Sequence, residues 1–454
     1  MPKNIVILSD GTGQRGGLFV DENRSNIYKL YRAARCGPDT TIDANAQVAY
    51  YDPGIGSAPI GLGFFGAVWR RLQNLVSQAT GLGLTLNIVD CYAEVLKVWE
   101  PGDRIYVFGF SRGAYTVRCL AAVLDLCGVP SLDLDGKPLK RDPASLRRIA
   151  DHAVKRIYQH VSSPRDAKYI EQRRALAKQF RERCAASDAA PNFVGVFDTV
   201  AAVGTWDAIL MVAVGAILGV VAIGCILGWI VGSFAIGIST LAFAAVLGIA
   251  AELLRTNLKF AVGLPGYTFK KTVHMTRPVL RFADHQLSGN VQFARHAISI
   301  DETRASFERV GWANKGQGRE GWLKQVWFAG NHSDIGGSYP ECESRLSDIS
   351  FGWMVEEVAA LPSALLIDKS LLQLSPGPTG MQHDERKSSW VFRIGKQKLR
   401  DPATDAPLHP SVLDRFRAPA VLQHDEKRPY RPEALRDHSL TKAYYSAPST
   451  LLSG

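Results

Sequence analysis

Gly109-Phe110-Ser111-Arg112-Gly113 stands between a run that reads as a strand, Arg104–Phe108, and one that reads as a helix from Ala114 onward. G-x-S-x-G in that setting is a nucleophile elbow, a strand-to-helix turn that exposes the serine Oγ. The glycines let the backbone turn sharply and keep side chains off that oxygen. The helix N-terminus behind Ser111 favours negative charge developing nearby. Outside such a setting the serine would merely cap a helix; the flanking elements favour a nucleophile.

A serine nucleophile needs a base, and the base an orienting acid. In elbow-bearing enzymes the chain order is Ser, then Asp or Glu, then His. Asp198 follows the apolar run Phe193–Phe197, and His332 follows Gln325–Phe328 in Gly330-Asn331-His332-Ser333-Asp334. Together they complete the expected order. The plainer readings are an end-of-strand cap for Asp198 and a structural loop histidine for His332. Asp334 is an alternative acid and His409, also late in the chain, the rival base.

The oxyanion needs two backbone N–H donors. Arg112 supplies one, and Gly11 or Thr12, in the turn closing the first strand, the other. Asp10-Gly11-Thr12 also invites an aspartyl-phosphatase reading. That signature wants a second acid two residues away, where Leu8 and Thr12 stand, so it is set aside. Gly61-Leu-Gly63-Phe-Phe-Gly66 spells a dinucleotide-binding pattern but follows a turn region instead of a strand. Asp301, Glu302, His332 and Asp334 lack HExxH or paired-histidine spacing. No cofactor and no metal are expected.

These residues must be held by an α/β framework. Ile5–Leu8, Arg104–Phe108, Phe193–Phe197 and Gln325–Phe328 read as buried strands, and Leu86–Trp99 and Ala114–Leu126 as helices. The alternation predicts a mostly parallel sheet with helices on both faces. Between Asp207 and Glu252 lie 44 residues without a charge. As helix they would run roughly 66 Å, enough for two spans of about 20 residues. Spans near 209–230 and 234–251 with a turn at Gly232-Ser233 make a transmembrane hairpin the expectation. A buried helical hairpin is the alternative.

From Leu253 to Leu280 stand Arg255, Lys259, Lys270, Lys271 and Arg277, with no acidic residue among them. Basic residues beside a span mark the cytoplasmic side. The expected location is therefore a membrane, a bacterial inner membrane, with the catalytic domain facing the cytoplasm. The expected division is 1–206 and 257–370 for two parts of one core, 207–256 for the inserted hairpin, and 371–454 for a polar, Pro-rich extension packed on it.

Of the 454 residues 46% are hydrophobic and 21% charged, which excludes a disordered, collagen-like or coiled-coil chain. The net charge of +10 is spread among acidic residues and suits an anionic membrane surface better than a nucleic-acid groove. Seven scattered cysteines without a CxxC predict reduced thiols. The opening Met-Pro-Lys runs straight into a strand, so no cleaved secretory signal is expected.

Five motifs recur in order: Ser9–Thr12, Gly109–Tyr115, Phe197–Val200, His296–Glu302 and Trp327–Gly337. With them the chain resembles the DUF2235 family, the α/β-hydrolase domain typified by phospholipase effectors of type VI secretion. The resemblance runs across roughly residues 3–360, with an echo at His409-Pro410-Ser411-Val412. It implies a serine esterase or lipase acting on phospholipids, with Ser111 as nucleophile and Asp198 as triad acid. The apolar stretch after Asp198 departs from the family pattern and fits a membrane-tethered lipase. The expected function is thus a membrane-anchored Ser-His-Asp hydrolase of phospholipid or other lipid esters. The alternatives are a catalytically silent membrane-anchored scaffold of the same fold and a hydrolase of soluble esters. Lipid substrate and bilayer are the expected partners; the sequence names no protein partner.

Overall fold

Successive residues of a strand face opposite sides of its sheet. In the first strand both sides are apolar: Ile5 and Ile7 enter one core, Val6 and Leu8 another. Such runs belong to strands covered on both faces. The computed structural model describes residues 2–11, 23–54, 82–200, 266–276, 286–313, 319–388 and 395–446, with short pieces at 228–229, 248, 251, 254–255, 257–261, 264 and 392–393. Among these residues the central sheet has six strands, β1 (Asn4–Ser9), β2 (Gln47–Asp52), β3 (Arg104–Phe110), β4 (Pro191–Phe197), β5 (Phe293–Ser299) and β6 (Leu323–Phe328). Their order is β2-β1-β3-β4-β5-β6, and every pairing is parallel.

Helices cover both faces. On one side lie α1 (Asn26–Ala34) and, later in the chain, a long helix over Arg345–Ala359; Ile27, Leu30, Phe351, Met354 and Val358 bury against Val6, Leu8 and Phe108. On the other lie α2 (Leu82–Val98), α3 (Arg112–Cys127), α4 (Pro143–Asp151) and α5 (Ile170–Arg183). Ile88, Tyr92, Leu120, Leu124, Ile149 and Phe180 close that core over Ile5, Val107 and Val196. The short α6 (His332–Gly336) follows β6 and precedes α7, the Arg345–Ala359 helix. Beyond β6, the Trp327 N–H donates to Pro407 O and the His409 N–H to Trp327 O, both at 2.9 Å. There α8 (Pro410–Arg417) helps bury Val412, Phe416, Val421 and Tyr430 against Ile298, Ile300 and Trp327.

The expected parallel α/β sheet is present, but no transmembrane hairpin is found among the described residues. Among the described residues no helix is long and apolar enough to cross a membrane. The longest, α2 with 17 residues and α3 with 16, fall short of the roughly 20 that a crossing takes. The α2 helix also carries Asp90, Glu94 and Lys97 and buries its apolar side on the sheet. The expectation of an inner-membrane protein is corrected accordingly. Apart from a few positions, the proposed spans 209–230 and 234–251 lie outside the described residues, as do Thr12 and Gly61–Gly66.

Candidate active site

The carboxyl ends of the strands lie in register along one rim. Ser9 pairs with Asp52 and Gly109, Phe110 with Phe197, and Ser299 with Phe328. The neighbours β1 and β3 continue to opposite sides of the sheet. The crevice beyond their ends is the switch point at which open α/β sheets bind ligands. Ser111 stands at this point.

Ser111 has φ 58° and ψ −120°, a conformation that costs a non-glycine residue strain. The surroundings impose it. A Cβ on Gly109 would run into the Gly113 carbonyl, and one on Gly113 into the Ser9 carbonyl. Only glycine lets strand, turn and helix pack so closely. The Ser111 N–H donates to Phe197 O at 3.1 Å, which ties the turn to the strand that ends before Asp198. Arg112 heads α3, whose first N–H groups have no acceptor within the helix. Gly11 lies beside this turn, and a Cβ there would be 3.4 Å from Ser111 Cβ. Its N–H, however, is given to the Asp10 carboxylate at 2.7 Å.

Asp198 is fully buried, with φ 35°. Its N–H reaches Ala297 O at 2.7 Å, and its Oδ1 accepts the Ser299 N–H at 3.1 Å. Its Oδ2 is 2.6 Å from His332 Nδ1 and 2.9 Å from Arg400 Nη2. Burial alone would push this carboxyl up. Arg400, His332 and the Ser299 N–H outweigh burial and hold it at about 2, so Asp198 is a carboxylate at any working pH.

With Nδ1–H directed at Asp198, Nε2 is the basic nitrogen of neutral His332. Nε2 is buried and has no hydrogen-bond partner among the described residues. The ring is flanked by Phe110, next to Ser111, at 4.7 Å and by Phe307 at 4.9 Å. The structure thus unites Asp198 with His332 and sets the residue preceding Ser111 against the imidazole. Such a group can orient a neutral imidazole and stabilise the imidazolium that forms when it takes a proton.

The two alternatives have other work. Asp334 Oδ2 accepts the Asn331 N–H at 3.0 Å in the capping box that starts α6. Its Oδ1 is 2.7 Å from His383 Nδ1, and Glu343 is 3.1 Å from Nε2 of the same ring. Burial disfavours the His383 imidazolium, but these two carboxylates prevail and its pKa stands above the ordinary value. His409 caps α8: its Nδ1 lies 2.8 Å from Ser411 Oγ, and its ring stacks on Phe328 at 4.7 Å.

Sequence reasoning missed Arg400 and His383. Both lie in the polar, Pro-rich region after residue 370, where no periodicity or motif distinguishes them. Glu302 belonged to a quoted motif, but its partner was not legible. It forms a two-bond pair with Arg304, at 2.9 and 2.7 Å, and its Oε2 accepts the His332 N–H at 3.3 Å. No group of residues that could hold a metal ion occurs among the described residues.

The model of the family "T6SS, Phospholipase effector Tle1-like, catalytic domain" matches residues 3–225 and 257–357. A curated relative, the uncharacterized protein YEL023C of Saccharomyces cerevisiae, is 33% identical over 207 residues, 44% of this chain and 27% of that protein. The chain therefore spans about a quarter of that relative's length. Among solved structures, an uncharacterized protein from Pseudomonas aeruginosa aligns at 18% identity and TM-score 0.37, over 83% of this chain and 48% of that one. The Tle1 effector bound to the VgrG spike from the type VI secretion system aligns at 17% identity and TM-score 0.29, over 75% and 52%. The family's description is of a secretion-system effector, which likewise replaces the expectation of an inner-membrane resident.

Proposed function

The chain belongs to the Tle1-like phospholipase effectors of type VI secretion, whose catalytic domain it carries, and from that premise we propose a serine hydrolase that cleaves acyl ester bonds of phospholipids through Ser111, His332 and Asp198. The supporting observation is the buried Asp198–His332 pair, 2.6 Å apart, with the second imidazole nitrogen unengaged beside a strained serine turn.

In this reading Ser111 Oγ attacks the acyl carbonyl carbon while His332 Nε2 takes its proton. Asp198 keeps Nδ1–H in place and stabilises the imidazolium without taking the proton. The tetrahedral oxyanion meets the Arg112 N–H and the positive end of α3. Collapse expels the alcohol of the lysolipid, which His332 protonates. Water, activated by the same imidazole, then releases the fatty acid from Ser111. Phe110 and Phe307 keep bulk water from the imidazole, which strengthens each of these polar contacts.

The test is release of fatty acid from phosphatidyl lipids in mixed micelles, beside hydrolysis of short- and long-chain fluorogenic esters. Each is measured for the wild type and for Ser111→Ala. Turnover on lipid that disappears in the variant supports the proposal. Turnover that survives Ser111→Ala overturns it.

A further inference from the structure

The matched family segments end at residue 357, yet the acid of the site is completed by a residue beyond them. Arg400 Nη2 shares Asp198 Oδ2 with the imidazole, and neither charged side chain is appreciably exposed. A buried carboxylate facing only a neutral imidazole would be an uncompensated charge. It would also draw a proton onto that imidazole, because an opposite charge at contact distance favours the charged form. A protonated His332 could not serve as a base.

The other charges around His332 come largely in pairs. Glu302, at its backbone N–H, is tied to Arg304. Asp334, on its own helix, is tied to His383. Arg309 lies in the field of both Asp198 and Arg400. His296, which accepts the Thr199 N–H, is held neutral by burial. Asp198 is the carboxylate in direct contact with the imidazole, and Arg400 is its cation.

We propose that Arg400 is a positioning residue whose charge offsets that of Asp198, which disfavours an extra proton on His332 while the carboxylate stays aligned on Nδ1. The proposal rests on His332 being the base. It makes the region after residue 370 part of the catalytic apparatus as well as a cover for the sheet edge.

The experiment records kcat/KM against pH on phospholipid micelles and on a short ester for wild type, Arg400→Lys, Arg400→Gln and Arg400→Met. In Gln and Met the acidic limb should move to higher pH by about one unit on both substrates, because Asp198 is left uncompensated. In Lys, which keeps the charge, it should stay within a few tenths. Gln retains a donor and serves if Met does not fold. The low-field proton resonance of His332 Nδ1–H, assigned by its loss in His332→Ala, should titrate with the same displacement without need of turnover. Uniform loss of rate with an unmoved acidic limb, or equal displacement in Lys and Met, overturns the proposal. Retained activity in His332→Ala would instead remove the base reading on which it stands.

Discussion

His332 Nδ1 and Asp198 Oδ2 stand 2.6 Å apart across 134 residues of chain. Two strand ends make the meeting. β4 delivers Asp198 and β6 leads into α6, which begins at His332. A hydrogen bond between a buried carboxylate and a buried imidazole fixes which nitrogen carries the proton. The first prediction follows from that tautomer. Asp198→Asn leaves the imidazole without a preference for Nδ1–H, and kcat should fall by about 10³–10⁴-fold. It also strands Arg400 as a buried cation, so unfolding free energy should drop by about 3 kcal/mol. Steady-state lipid hydrolysis and urea denaturation check the two together. A variant as active as wild type would remove Asp198 from the mechanism.

The two late histidines should separate cleanly. His332→Ala should cost on the order of 10³-fold or more in kcat with little change in substrate binding. His409→Ala removes an N-cap from α8 and should cost about 1 kcal/mol of stability while kcat stays near wild type. Kinetics and thermal unfolding on both proteins decide the assignment. The opposite pattern would make His409 the base.

Gly109→Ala and Gly113→Ala should each destabilise the fold, by on the order of 3 kcal/mol, since a methyl meets main-chain carbonyls that cannot give way. Activity should fall further than the folded fraction does, because the displaced turn carries Ser111. Circular dichroism melts beside specific activity per folded molecule measure this. Normal stability and activity in both would mean that the tight turn is not required.

Local patterns made half of this site legible. The elbow, the strand end at Asp198 and the loop at His332 are each contiguous, and elbow order fixed their sequence. Two strands were not legible. β2 is the sheet's edge, with its middle residues only half-buried, so its apolar signal is weak. β5 carries Arg295 and His296 in its centre, both buried: Arg295 pairs with Glu357 at 2.5 Å, and His296 accepts the Thr199 N–H at 3.2 Å. No window of a few residues contains either partner. Arg400 escaped notice for the same reason, since its reason for being there is Asp198, 202 residues away. The uncharged stretch at 208–251, which set the membrane expectation, lies outside the described residues apart from a few positions. A run of apolar residues records avoidance of water, and that alone does not name the medium that replaces it.

Asp52 allows a test of buried charge at the same rim. It is 7% exposed at the end of β2, and its Oδ2 accepts from Ser9 Oγ at 2.7 Å and Asn87 Nδ2 at 2.9 Å. Burial raises its carboxyl from 3.8 to about 6, against the pull of Ser9, Gly54 and Asn87. The folded chain therefore keeps this proton where the unfolded chain releases it. The resulting stability is fully present below about pH 4 and is lost as pH climbs to about 6. Asp52→Asn keeps an oxygen for Ser9 and Asn87 and cannot ionise. The unfolding free energy of wild type minus that of the variant should fall by as much as about 2 kcal/mol between pH 4 and 6.5, then level off. Urea denaturation across that range gives the difference directly. A difference independent of pH would mean that Asp52 ionises in the folded protein as readily as it does in water.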